Sequence, residues 1–433
     1  LPPPPAAALP TRYDAAWPLT KLPLRATPHA LTVLHGGKAL CLSLSSTEKC
    51  EDDPDAPPAE PPAADGVAGV AAAPRWREKY EVRLLDGASW KTLDSAALEE
   101  DEWIMGTCAA QLKDEAFPSG KIFVNVLAVG TAYQEGEDTG SRGRVLLYSA
   151  NEPEAETAEG GDANGDANGG GGDAAAPPAA AANGGANGAG ERKLKLVCEF
   201  SARGGVLAIA AMQSMVVACV GPRIMMLQFR EGPKAEDGGS GSNTAQLVEV
   251  GFLMVGFMIS SISTLNHYAM VADAYDGVFF IVWKHIKKAF VILGKAPAAA
   301  VDASAGALAC SLLLEQPTLH LVVADEHARL RVFAFNKSAT ESKGGSILLP
   351  RATFHAGCPI SKLLPLHMPR AFAGATGVRG GALRCALLFG AVDGTVGFVS
   401  PLDEGLFRRA SFLGTRIGRP WRSPANHWLI WET

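Results

Sequence analysis

Aromatic residues are scarce in this 433-residue chain, at 7%, and its eight cysteines include no C-x-x-C pair. Scattered singly (Cys41, Cys50, Cys108, Cys198, Cys219, Cys310, Cys358, Cys385), they exclude a disulfide frame and read as reduced thiols of the cytosol or nucleus. No basic-then-apolar leader is present, and the start, Leu1 followed by Pro2 to Pro5, reads as that of a fragment or an incomplete gene model. The most apolar run, Val248–Ala272, is interrupted by Glu249, Asn266 and His267. A membrane-spanning helix takes about 20 largely unbroken apolar residues, so no membrane association is expected. Phosphate loops, zinc-protease helices and nucleophile elbows are also missing, and Gly120–Lys121 lacks the glycine spacing a phosphate loop needs. Little 3.6-residue periodicity precedes residue 403, which excludes a helical solenoid.

What is plentiful is turn-forming sequence. Gly and Pro make up 76 of 433 residues without a three-residue period, so they mark turns and low-complexity tracts rather than collagen. Residues 46–66 carry seven acids against one lysine, and residues 151–191 carry eight acids and no base. Without those two stretches the chain holds 38 bases and 30 acids, a mild excess of +8. That permits a polyanionic neighbour but is too dilute for a dedicated nucleic-acid footprint.

Residues 46–75 and 151–191 cannot bury enough surface to offset the entropy of ordering them and are predicted to be disordered inserts. So is the Pro/Ala-rich start, residues 1–18. With the inserts set aside, paired apolar runs recur: Leu31–Val33/Ala39–Leu44, Ile122–Gly130/Arg144–Tyr148, Met215–Val220/Ile224–Phe229, Ala269–Asp273/Val278–Trp283, Leu319–Asp325/Arg329–Phe335 and Ala386–Ala391/Val396–Val399. Equivalent points lie about 50 residues apart, except for a last step of 66 from His320 to Ala386 that spans an Ala/Gly-rich loop, and such a spacing is expected of β-propeller blades. The predicted fold is all-β: a WD40-like β-propeller over residues 19–413, with about five to six blades of an incomplete seven-bladed ring.

Motifs with possible chemistry are weak. His355 and Cys358 form H-x-x-C, but a structural zinc takes four ligands and no second pair is near, so His355 reads as a strand-start histidine. Asp162 to Asp173 imitates a calcium loop, yet Ala167 replaces the turn glycine and no helices flank it. Asn336-Lys337-Ser338 is a glycosylation sequon that would be inert in a protein that is not secreted. Asp273, Asp325 and Asp393 recur at one point of the repeat, which suits turn formation better than paired acid–base work. Basic residues cluster at Arg142/Arg144, Lys284/Lys287/Lys288, Arg329/Arg331 and Arg408/Arg409 without interleaved aromatics. A solvated surface is the default reading, with RNA backbone contact as the alternative.

Several stretches resemble one family in order along the chain. Val129-Gly130-Thr131-Ala132-Tyr133, Gly136-Glu137-Asp138 and Arg142-Gly143-Arg144-Val145-Leu146-Leu147-Tyr148 resemble a signature of the large (A) subunit of the cleavage and polyadenylation specificity factor, in its plant and algal form. Leu22–His29, Tyr80–Trp90, Phe354-His355-Ala356-Gly357, Asp393-Gly394 and Pro401-Leu402-Asp403-Glu404 with Phe407-Arg408-Arg409 are similar to further family motifs. The resemblance implies most of the third of three propellers. It also implies a non-catalytic scaffold in nuclear pre-mRNA 3′-end processing that holds WD-repeat and zinc-finger subunits and contacts pre-mRNA indirectly. No cofactor, metal, small-molecule substrate or catalytic residue is implied. Alternatives are a propeller adaptor of a ubiquitin ligase or DNA-damage complex, and a splicing-factor 3b-type scaffold. The motif residues Gly130, Thr131, Gly136, Glu137, Asp138, Arg142, Gly143, Arg144, His355, Asp393, Gly394, Arg408 and Arg409 are the candidate structural or interaction sites. After Arg409 the family would continue into a helix. Here Gly414–Thr433 carries Pro420 and Pro424, with Trp421, Trp428 and Trp431 at neither helical nor strand spacing, so it is predicted to be translated intron or a frameshift.

Overall fold

The computed structural model describes residues 21–49, 76–113, 122–134, 141–150, 192–231, 245–296, 306–315, 318–367, 385–401, 408, 412 and 428–432. The expected disorder of 1–18, 50–75 and 151–191 lies outside them. The described residues form six four-stranded antiparallel sheets, arranged as a six-blade β-propeller. Blade 1 holds β1 (Thr27–Leu34), β2 (Ala39–Lys49), β3 (Trp76–Asp86) and β4 (Thr92–Ala97). Blade 2 holds β5 (Glu102–Lys113), β6 (Ile122–Tyr133), β7 (Gly143–Ser149) and β8 (Lys195–Ala202). Blade 3 holds β9 (Val206–Met212), β10 (Met215–Val220), β11 (Arg223–Glu231) and β12 (Ala245–Met254). Blade 4 holds β13 (Ile259–Leu265), β14 (Tyr268–Asp273), β15 (Gly277–Lys284) and β16 (Ala289–Lys295). Blade 5 holds β17 (Ala307–Glu315), β18 (Thr318–Asp325), β19 (Arg329–Ala334) and β20 (Leu349–His355). Blade 6 holds β21 (Ile360–His367), β22 (Cys385–Ala391), β23 (Val396–Pro401) and β24 (Trp428–Glu432).

The first strands β1, β5, β9, β13, β17 and β21 pack on one another in that order and form the inner ring. In blades 2 to 5 the second and third strands are apolar on both faces because each of these blades shares a core with the blade on either side. In β10, Val216, Ala218 and Val220 enter the core shared with blade 2, while Met215, Val217 and Cys219 enter the core shared with blade 4. In β15, Phe279, Ile281 and Trp283 face blade 3, and Val278 and Phe280 face blade 5. A strand covered on both sides reads as a continuous apolar run rather than an alternation. That explains Val248–Ala272: it is the end of β12, all of β13 and most of β14. Among the described residues no helix is long and apolar enough to cross a membrane.

Five such cores join successive blades from 1 to 6. None among the described residues joins blade 6 to blade 1. There the side chains of Leu31 and Val33 on β1, and of Leu364 and Leu366 on β21, stay about half exposed.

Two boundaries differ from the sequence expectation. Residues 46–49, assigned to the first acidic insert, extend β2 and pair with Trp76–Lys79 of β3. Ser46, Thr47, Glu48 and Lys49 are individually poor core residues, but a strand edge already in register needs only backbone partners. Residues 428–432, expected to lack strand spacing, form β24 and pair with Gly397–Pro401 of β23. The run Trp-Leu-Ile-Trp is strand-favouring as a whole, and the spacing of its tryptophans alone concealed that.

In a four-stranded meander, the turn between strands 2 and 3 and the link to the next blade emerge at one end. The turns between strands 1 and 2 and between strands 3 and 4 emerge at the other. The six blades therefore present two faces of loops, and most of the candidate residues belong to the first.

Candidate functional site

The signature stretch of blade 2 builds a buried ion cluster. Thr131 near the end of β6 is fully buried, and its hydroxyl donates to Glu102 Oε1 at 2.6 Å. Arg144 at the start of β7 donates its backbone N–H to Thr131 Oγ1 at 3.0 Å. Its guanidinium meets Glu102 in a two-pronged pair, Nε to Oε1 at 3.0 Å and Nη2 to Oε2 at 2.6 Å. Its third nitrogen, Nη1, reaches Glu99 at 2.7 Å and Glu199 of β8 at 3.0 Å. The Glu102 side chain is fully buried, and that of Arg144 is 16% exposed. A planar guanidinium suits this geometry because its donors match a carboxylate in pairs, which a lysine could not do.

Tyr133 closes the cluster. Its hydroxyl donates to Glu99 Oε2 at 2.5 Å, and Arg142 lies 4.0 Å over its ring. The donation from Tyr133 holds the Glu99 carboxyl below its ordinary range, helped by the charges of Arg144 and Arg142. Burial, followed by the same bond to Glu99, pushes the Tyr133 phenol up. The bond to Glu102 chiefly raises Arg144. The two signature glycines make room for this arrangement. A Cβ on Gly130 would lie 2.8 Å from Val206 Cγ1 of β9, and one on Gly143 would lie 2.3 Å from the Thr131 carbonyl oxygen. Gly136, Glu137 and Asp138 lie outside the described residues.

The aspartates of blades 4 to 6 occupy the same 2–3 turn. Asp273 is fully buried and accepts four backbone N–H groups: Phe257 and Met258 on Oδ2, Tyr275 and Asp276 on Oδ1. It thus ties its own turn to the link arriving from blade 3. Gly256 in that link has φ +57, and a Cβ there would strike the Asp273 carboxylate at 2.3 Å. Asp325 accepts from His327 N and Arg329 N on Oδ1, and from Arg329 Nε and Arg331 Nη2 on Oδ2. Asp393 is exposed, accepts Thr395 N at 2.9 Å, and is held below its ordinary value mainly by that bond. Gly394 beside it has φ +90.

His355 is the last residue of β20 rather than a strand start, and its Nδ1 accepts the N–H of Gly357 at 3.1 Å. Its loop meets the Asp393 turn through Val392 N donating to Pro359 O at 3.0 Å. The structure therefore brings His355 and Asp393 to one junction, between blades 5 and 6, and leaves Thr131 and Arg144 on blade 2. Arg408 is exposed, and Arg409 lies outside the described residues.

The shifted carboxyls and thiols move away from neutral pH. A carboxyl serves as a general acid or base at neutral pH when it is raised toward 7, and a thiol when it is lowered. Here Glu99, Asp86 and Asp393 are lowered, and burial pushes the thiols of Cys41, Cys108 and Cys198 up to about 12. Among the described residues no cluster of His, Cys, Asp and Glu could hold a metal ion.

A family model described as the CPSF A subunit region matches residues 79–426, which include the ion cluster and all three turn aspartates. The chain belongs to the CPSF A subunit family. It is 27% identical over 425 residues to a cleavage and polyadenylation specificity factor subunit 1 of Arabidopsis thaliana, covering 94% of this chain and 25% of that protein. It is 25% identical over 432 residues to a probable subunit 1 of Oryza sativa subsp. japonica, again covering 94% and 25%. A subunit 1 of Drosophila melanogaster is 21% identical over 407 residues, or 92% and 24%. The chain thus spans about a quarter of the length of these relatives. The family match runs on to residue 426, well into the stretch read above as translated intron or a frameshift, and β24 follows directly.

Sequence reasoning singled out Thr131 and Arg144 but missed Glu102, the carboxylate that both converge on. Glu102 precedes Thr131 by 29 residues on the neighbouring strand, and only the pairing of β5 with β6 brings it opposite Tyr133. In sequence Glu102 is the last of four consecutive acids, Glu99-Glu100-Asp101-Glu102, and nothing local sets it apart from the other three.

Proposed function

We propose that this chain is a non-catalytic propeller scaffold in nuclear pre-mRNA 3′-end cleavage and polyadenylation. Membership of the CPSF A subunit family over residues 79–426 carries the reading. The fate of the signature residues supports it, because Thr131 and Arg144 commit their polar groups to holding four strands of blade 2 together rather than facing a substrate. Such a site offers a rigid surface, and rigid surfaces lower the ordering cost of binding. The partners are WD-repeat and zinc-finger subunits of the processing complex, which in turn contact the pre-mRNA.

Affinity purification of the tagged full-length protein from nuclear extract tests this. The reading expects WD-repeat and zinc-finger processing subunits in stoichiometric amounts, and a defect in 3′-end cleavage on depletion. Recovery of a ubiquitin-ligase scaffold in their place, with cleavage intact, would overturn it.

A further inference from the structure

Of the four basic clusters in the sequence, the fold uses two internally. Arg144 is held by three glutamates, and Arg329 and Arg331 by Asp325. Arg142 lies over Tyr133. The cluster at Lys284, Lys287 and Lys288 differs: all three are exposed, and none of the three ammonium groups has an acidic partner among the described residues. They form the tip of the β15–β16 hairpin, on the face opposite the ion cluster. Between them Ile286 is 98% exposed.

The tip is held rigidly. Lys288 N donates to His285 O at 3.2 Å, and Lys288 adopts φ 45. Directly beneath, Trp283 and Phe290 are buried against each other, with ring centroids 4.7 Å apart. The hairpin base lies against β12, where Gly251 admits it: a Cβ there would come within 2.4 Å of the Lys288 carbonyl oxygen and 2.9 Å of the Trp283 ring. An isoleucine carried this far into solvent does nothing for the fold, and three unpaired ammonium groups around it repel one another.

We propose that this hairpin tip is a docking site for an acidic segment of a partner protein, with Ile286 inserting against an apolar side chain of that segment. Charge complementarity sets the sign of the partner, and Ile286 distinguishes a polypeptide from a nucleic acid. Single-stranded RNA is gripped by aromatic stacking as well as by cations. No Phe, Tyr or Trp stands on the tip, whose one ring is the small His285 imidazole, and Phe252 of β12 already carries Arg223 over its ring at 4.3 Å. The proposal goes beyond the scaffold reading and does not depend on it.

Fluorescence anisotropy on the full-length protein tests it with three labelled probes: a peptide of ten glutamates with a central leucine, the same peptide with glycine in that place, and a ten-nucleotide oligouridylate. The leucine peptide is expected to bind about five-fold more tightly than the glycine peptide, the worth of a partly buried aliphatic side chain. Ile286→Ser should erase that preference, and the joint K284E/K287E/K288E variant should weaken both peptides more than ten-fold. All the substituted side chains are exposed, so unchanged melting curves verify the fold. Equal binding of the two peptides by the unaltered protein, tighter binding of oligouridylate than of the leucine peptide, or indifference to the triple variant would each overturn the proposal. Peptide binding that emerges only after deletion of residues 151–191 would also overturn it, since the chain's own acidic tract would then be the occupant.

Discussion

Removing the Glu102 carboxylate tests whether the signature stretch is a structural clasp. In Glu102→Ala, Arg144 Nε and Nη2 and the Thr131 hydroxyl lose their common acceptor inside the blade. Breaking a buried ion pair by removing one partner costs about 3–5 kcal/mol, mostly for the stranded charge. Arg144 keeps Glu99 and Glu199 and is 16% exposed, so the lower end applies, about 3 kcal/mol. At roughly 2 °C per kcal/mol for a domain of this size, the melting temperature should fall by about 6 °C. Circular dichroism and tryptophan fluorescence should follow the melt together, because coincident curves license a single comparison. Glu102→Gln keeps the volume and one acceptor oxygen and should lose about half as much. Replacing Glu102 and Arg144 together by leucine should cost less than Glu102→Ala alone, since neither charge is then stranded. A fall of under about 2 °C in Glu102→Ala would equate the pair with an exposed salt bridge and refute the reasoning. Strict additivity of Glu102→Ala and Arg144→Ala would refute it as well.

Further outcomes follow from the same geometry. Glu99 has a lowered folded-state pKa, so its contribution is present above the unfolded value of about 4.3 and is lost as pH falls through the folded one; acid titration of Tyr133→Phe should show a smaller loss over that window than the unaltered protein. Asp273→Ala leaves four backbone N–H groups without their acceptor and should destabilise by about 3 kcal/mol or more by thermal melt, against a smaller loss for Asp273→Asn. With Cys50 and Cys385 replaced by serine, a thiol reagent at pH 8 should modify the partly exposed Cys358 first and leave the buried Cys41 and Cys310, raised to about 12 and about 11, unmodified until denaturant is added. Truncation after residue 427 strips β23 of its outer partner and should lower the melting temperature, whereas an unchanged melt would show that β24 contributes nothing to blade 6.

The repeat was legible because strands 2 and 3 are the most buried of each blade, covered on both sides in blades 2 to 5, and so appear as paired apolar runs. Five of the six hairpins read from sequence are strands 2 and 3; the first is strands 1 and 2, because the acidic insert separates β2 from β3. Outer strands were invisible for the complementary reason. β4 (TLDSAA) and β16 (AFVILGK) have one face open to water, and β4 sets only Leu93 and Ala96 against the core, both partly buried. Their place is set by backbone pairing to a neighbour, which leaves little trace in composition.

Charge was the harder quantity to read, and the reason is physical. A net +8 outside the acidic tracts says nothing about which cations are free, and freedom decides whether a basic residue can meet a partner. Arg144 and Arg331 look as available in sequence as Lys287, yet each sits within 3 Å of a carboxylate on another strand or turn. The carboxylates lie 42 and 6 residues away, so no local pattern marks them. Arginine stands where a fixed fork meets a carboxylate inside blades 2 and 5, and lysine where three charges stand apart in water. That division of labour, rather than the sum of charges, separates the residues that hold this propeller together from those it offers to another molecule.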